Sequence, residues 1–106
     1  MKAAILCALL TVGLPIAGSA ATTAPPTTIH IHNYAFNPKT VTIPVGGTVR
    51  FVNDDDEPHT ATAFDKTFDS KGLDTNESYK HTFTTAGTFR YFCTLHPMMR
   101  GSIVVK

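Results

Sequence analysis

The chain is predicted to be all-β, an antiparallel Greek-key sandwich or barrel of about seven to eight strands. Three observations predict it. Apolar residues alternate with polar ones at a period of two, and β-branched and aromatic residues dominate those runs. No window of helical length carries an apolar stripe with a 3.6-residue repeat. Turn-forming pairs such as Asn37-Pro38, Gly46-Gly47 and Ala86-Gly87 punctuate the runs at short intervals.

Taken in order, the first run spans Thr28–Phe36. Ile29 and Ile31 alternate with His30 and His32, then Tyr34 and Phe36 continue in the opposite phase, which predicts a bulge or bend near Asn33. Val41, Ile43 and Val45 alternate until Gly46-Gly47, where the chain should reverse. Val49 and Phe51 follow, before the polar loop Asn53–Pro58. In the second half, strands are expected over Thr60–Phe64, Tyr79–Thr84, Thr88–Cys93 and Gly101–Lys106. Phe83, Phe89, Tyr91, Ile103 and Val105 share the inward phase, with Phe68 and Leu73 anchoring the polar stretch between.

The 106 residues allow one small domain. With 9 Lys and Arg against 8 Asp and Glu, and no basic block, the chain is a poor candidate for binding nucleic acid or an anionic membrane surface. Residues 1–20 stand apart. Lys2, an apolar run through Leu14 and the small residues Ala17-Gly18-Ser19-Ala20 describe a signal peptide, cleaved after Ala20 or Ala21. The run is too short for a comfortable membrane span. Export to the periplasm is therefore expected, followed by a flexible Pro/Thr-rich leader over residues 21–27 and a domain over residues 28–106. Cleavage removes Lys2, which balances the charge, and Cys7, which leaves Cys93 alone. A lone cysteine in an exported chain has three uses: a buried thiol, a cross-link between chains, or a metal ligand.

The segment Cys93-Thr94-Leu95-His96-Pro97-Met98-Met99 favours the last. It places a thiol, an imidazole and a thioether within seven residues, directly after a strand. Soft sulfur ligands with imidazoles select copper, and two His, one Cys and a weak axial Met make an electron-transfer site. The second His must come from elsewhere, and His59, in the loop that leaves an earlier strand, is the best placed. Such a set leaves no open position for substrate, unlike a catalytic metal centre. There is no Cys-x-x-Cys pair and no sign of an oxyanion site, which argues against a thiol oxidoreductase or a hydrolase, and against an enzyme altogether.

Cys-x-x-His-x-x-Met near the C-terminus resembles the cupredoxin family of type 1 blue copper proteins, and the short ligand loop resembles its amicyanin branch, with plastocyanin and pseudoazurin as wider relatives. The likeness extends over Gly46–Asn53, Pro58-His59 and Ala86–Cys93. It implies one copper ion held by His59, Cys93, His96 and the axial Met99, with Met98 facing outward. It also implies a periplasmic monomer that carries one electron between transient partners: a cytochrome, a dehydrogenase or a reductase. Docking is expected at Leu95, His96, Pro97 and Met98. A copper carrier, buffer or resistance factor using the same ligands is the alternative, weakened by the lack of a Met-rich or His-rich tract.

Two positions depart from the family pattern. Thr60 stands where relatives have an Asn that ties the two ligand loops together, so a looser tie is expected here. Leu95 stands where they commonly have Pro, and its N–H is available to reach the Cys93 sulfur. Three further features are weighed. His30 and His32 share one strand face and could chelate a second metal, but are expected to be a solvent-facing pair. His81, in phase with Tyr79 and Phe83, is expected to be partly buried. Asp54-Asp55-Asp56-Glu57 reads as a solvated loop that could steer a basic partner toward the copper end.

Overall fold

The computed structural model describes residues 24–106. The expected signal peptide and the first residues of the leader lie outside them. Among the described residues there are eight strands: β1 (Thr27–His32), β2 (Ala35–Asn37), β3 (Thr40–Ile43), β4 (Thr48–Asn53), β5 (Thr62–Ala63), β6 (Ser78–Thr82), β7 (Gly87–Phe92) and β8 (Arg100–Val105). They form two four-stranded sheets, ordered β2-β1-β4-β6 and β3-β8-β7-β5. The inner faces meet over Ile29, Ile31, Phe51, Phe83, Tyr91 and Ile103, all buried. Aromatic rings fill the middle, with Tyr91 edge-on to Phe36 at 4.6 Å and to Phe51 at 5.2 Å.

The sandwich is as expected, but its sheets are mixed. β1 runs parallel to β4, and β3 runs parallel to β8. Alternating burial marks which face of a strand is covered, and that mark is the same for either direction of its neighbour. Strand direction is therefore absent from the apolar pattern.

The bulge or bend expected near Asn33 is a bend. Asn33 and Tyr34, at φ 54° and 58°, form a two-residue hairpin turn that pairs His32 with Ala35 and Ile31 with Phe36. Gly46-Gly47, where a reversal was expected, does not close a hairpin. β3 ends at Ile43, where Pro44 offers no N–H to the ladder, and Gly46, at φ 91°, carries the chain across to the other sheet. There Gly46 N–H donates to Phe83 O at 2.6 Å, and Phe83 N–H donates to Gly47 O at 2.9 Å. Val45, which alternates with the buried Val41 and Ile43, is left exposed by this crossing.

Candidate metal centre

The site forms where β4 and β7 run out at the same end of the sandwich. β7 delivers Cys93, one residue past Phe92, as a fully buried side chain. The following loop then folds on itself through its backbone. Met99 N–H donates to His96 O at 2.9 Å, His96 N–H to Cys93 O at 3.3 Å, and Cys93 N–H to Met99 O at 3.1 Å. These bonds hold His96 half-buried above the sulfur and bury Met99, while Met98 points out, 90% exposed.

His59 arrives from the other sheet. It is completely buried and pairs with Leu73 by backbone bonds in both directions, at 3.1 and 2.8 Å. The ligand atoms of His59, Cys93 and His96 all lie within 4.8 Å of one another. Each imidazole turns its Nδ1 toward Cys93 Sγ, at 3.8 Å in both cases. Among the described residues this is the one cluster of such groups able to hold a metal ion.

The tautomer of His59 follows from its far side. Its Nε2 lies 2.8 Å from Asp55 Oδ2. A carboxylate only accepts, so Nε2 carries the hydrogen and the Nδ1 lone pair faces the sulfur. Carboxylates that fix a ligating imidazole in this way are a recurrent feature of metal sites. Burial pushes the Asp55 carboxyl up, but the N–H groups of Tyr34 and Asn33 and the His59 ring outweigh it and hold the group below its ordinary range.

Asp55 is the residue that the sequence left hidden. It reads as one of four acids in a solvated run, yet it is buried and accepts N–H bonds from Asn33 at 2.7 Å and Tyr34 at 3.0 Å. Asn53 fixes its backbone, with Oδ1 accepting the Asp55 N–H at 2.9 Å, while Thr75 donates to its carbonyl at 2.7 Å. Asp54 is committed as well, 2.7 Å from His30 Nδ1. Asp54, Asp56 and Glu57 are the exposed acids of the run, and Asp54 faces His30. An Asp four residues before a His, with an Asn two residues before it, was the available signal.

Thr60 does more than its size suggests. Its hydroxyl accepts the Thr94 N–H at 2.9 Å and lies 3.2 Å from the Thr94 hydroxyl, so the loops that carry His59 and Cys93 are tied after all. Its own N–H points at Cys93 Sγ, 3.3 Å away. The N–H that reaches the sulfur is thus that of Thr60 rather than that of Leu95. His30 and His32 face separate carboxylates, at 2.7 Å from Asp54 and 3.8 Å from Asp55. His81 is half-buried against Phe68 and Phe83, away from the cluster.

The donor set suits a soft, low-coordinate ion. One thiol and two imidazoles face one point, a buried Met follows in the same loop, and a carboxylate orients one ring, a combination that favours copper over hard, oxygen-seeking cations. Leu95 and Met98 are exposed around His96.

Comparison with known proteins agrees with this picture. The family described as Cupredoxin-like domain matches residues 2–105. Amicyanin of Paracoccus versutus is 40% identical over 72 residues, 62% of this chain and 54% of that protein. Amicyanin-alpha of Methylorubrum extorquens is 31% identical over 85 residues, 76% of this chain and 71% of that protein. The alignments with the two Paracoccus amicyanins thus span about half of those proteins' length. Among solved structures, the Cu(I) form of a methionine-to-alanine variant of amicyanin superposes with a TM-score of 0.71 at 29% identity, covering 76% of this chain and 82% of that one.

Proposed function

Because the chain belongs to the cupredoxin-like family, we propose that it is a type 1 blue copper protein of the periplasm, a one-electron carrier rather than an enzyme. The observation that carries this reading is the convergence of His59, Cys93 and His96, whose ligand atoms lie within 4.8 Å of one another at one end of a β-sandwich. His59, Cys93 and His96 are the equatorial ligands in this reading, and Met99 is the weak axial one. Copper held there supplies a Cu(II)/Cu(I) couple.

What this chain contributes is a fixed cage. Electron transfer is fast when the ligands move little between the two oxidation states, so rigidity is the useful property. Asp55 locks one imidazole, the Thr60–Thr94 bond joins the loops, and three backbone bonds close the loop that holds the other three donors. The Thr60 N–H stabilises negative charge on the sulfur.

His96 is the exit for the electron in this reading, since its ring alone of the three reaches the surface. A partner such as a cytochrome, a dehydrogenase or a reductase would dock on Leu95, His96, Pro97 and Met98, whose apolar surface sheds water on brief contact. Residues 1–20 are proposed to export the chain and to be removed.

Adding Cu(II) to the purified protein tests the reading. An intense visible charge-transfer band from the copper–thiolate bond, with reversible voltammetry, is the expected result. Copper bound without that band would favour copper handling by the same ligands, and no binding at all would overturn both readings.

A further inference from the structure

Tyr34 lies against both histidines of the cluster, although it belongs to neither ligand loop. Its ring centroid is 5.3 Å from that of His59, at an interplanar angle of 89°, and 5.0 Å from that of His96, at 80°. Both are edge-to-face contacts in the favourable range. The two imidazoles are themselves 5.0 Å apart. One aromatic ring therefore spans the pair, with half of its own surface still open to solvent.

Its backbone is unusual for so large a side chain. The second position of this turn requires a positive φ, which glycine adopts freely and a bulky residue adopts at a cost. Tyr34 adopts it, at 58°. The turn is held by the carboxylate that also holds His59: Asp55 accepts the N–H of Asn33, the N–H of Tyr34 and the His59 Nε2–H. A strained position fastened to a site by the site's own carboxylate points to a use for the side chain there.

We infer that Tyr34 is a positioning residue for the metal centre, a ring clamped by Asp55 that fixes the two imidazoles relative to each other and limits access of water and chelators. The inference rests on the reading of His59 and His96 as copper ligands. The hydroxyl plays no part in it: the contacts are those of the ring, and a phenylalanine should make them equally well. A glycine should suit the turn better than tyrosine does, so removal of the ring need not unfold the protein.

The experiment compares copper-loaded wild type with Tyr34→Gly and Tyr34→Phe. Loss of copper into excess chelator, the visible and electron-spin spectra, and the melting temperature of the metal-free proteins are measured. Tyr34→Gly should melt no lower than wild type without metal, yet release copper on the order of tenfold faster, as expected for two lost aromatic contacts. Its spectra should broaden as the imidazoles gain freedom. Tyr34→Phe should restore the wild-type rate and spectra. Wild-type release and spectra in Tyr34→Gly would overturn the inference, as would failure of Tyr34→Phe to restore them. Absence of the charge-transfer band in wild type would instead defeat the copper reading itself, so the two failures are separable.

Discussion

The N–H of Thr94 donates to the hydroxyl of Thr60 at 2.9 Å, joining the loop that carries His59 to the loop that carries Cys93. Thr60 Oγ1 also lies 3.0 Å from the Thr62 hydroxyl, and the residue is buried. A short hydroxyl thus performs the tie for which a longer amide would be expected.

Removing that oxygen isolates the Thr94 N–H in a half-covered position. Thr60→Val keeps the shape and deletes the acceptor, and should cost about 1–2 kcal/mol, the penalty of an unpaired donor. For a domain of this size that is a fall of roughly 5–15 °C in melting temperature. Thr60→Ser keeps the hydroxyl and should lose much less. Thermal unfolding of the metal-free variants checks both, and equal stability of Thr60→Val and wild type would show that the tie has no energetic weight.

Asp55 should be the more costly loss. Asp55→Ala leaves three donors without an acceptor: the Asn33 and Tyr34 N–H groups and the buried His59 Nε2–H. At about 1–3 kcal/mol for each unsatisfied group, discounted because the turn admits water, about 3 kcal/mol or more is expected. Asp56→Ala, one residue away and exposed, should fall within about 0.5 kcal/mol of wild type. Denaturant unfolding of the two variants would expose the contrast. Similar values would mean that Asp55 is merely another member of a solvated acidic run.

That contrast marks the boundary of what the sequence discloses. The sandwich was legible because each strand covers one face and writes its burial as a period of two: Ile29 and Ile31, Val49 and Phe51, Ile103 and Val105 are all inward. The cluster of His59, Cys93 and His96 was legible because two of its groups sit in one short loop, with Pro58-His59 supplying the third. Directions of pairing were not, since the alternation in β1 is the same whether β4 runs with it or against it. Nor were the roles of Asp55 and Tyr34. Both depend on a hairpin turn folding back over a loop some twenty residues later, and neither residue differs in type from an ordinary surface residue. Polar groups that act through such contacts carry no periodic signature.

His81 should make the fold acid-sensitive. Burial against Phe68 and Phe83 pushes its pKa below the ordinary value of 6.5, because the charged form loses water there. The unfolded chain then takes up a proton at a higher pH than the folded one, so acidification favours unfolding. This contribution to stability is present above about pH 6.5 and is lost as the pH falls through the depressed folded value. His81→Gln removes the titrating group. Measured against wild type from about pH 7 to about pH 5, its melting temperature should decline less steeply. An identical decline would assign the acid sensitivity to other groups.

Tyr91 should impose the opposite limit. Among the described residues its hydroxyl has no hydrogen-bond partner, buried beneath Gly101, whose missing side chain makes the space for it. Burial pushes the phenol well above its ordinary value. Folded protein therefore keeps this proton when the unfolded chain has released it, and stability is lost as the pH rises above about 10, the unfolded value. Tyr91→Phe deletes the unpartnered oxygen, should raise stability by about 1 kcal/mol at neutral pH, and should flatten the alkaline limb. Gly101→Ala tests the same contact from the other side. Its Cβ would fall on the Tyr91 hydroxyl and 2.8 Å from Lys39 O, a backbone atom that cannot simply swing aside. A loss of about 1–3 kcal/mol is expected, and the double variant should recover only part of it, because the ring and the carbonyl still crowd the new methyl. Full recovery would mean that the hydroxyl alone excludes a side chain at position 101, and no loss in Gly101→Ala would mean that the two strands can part there.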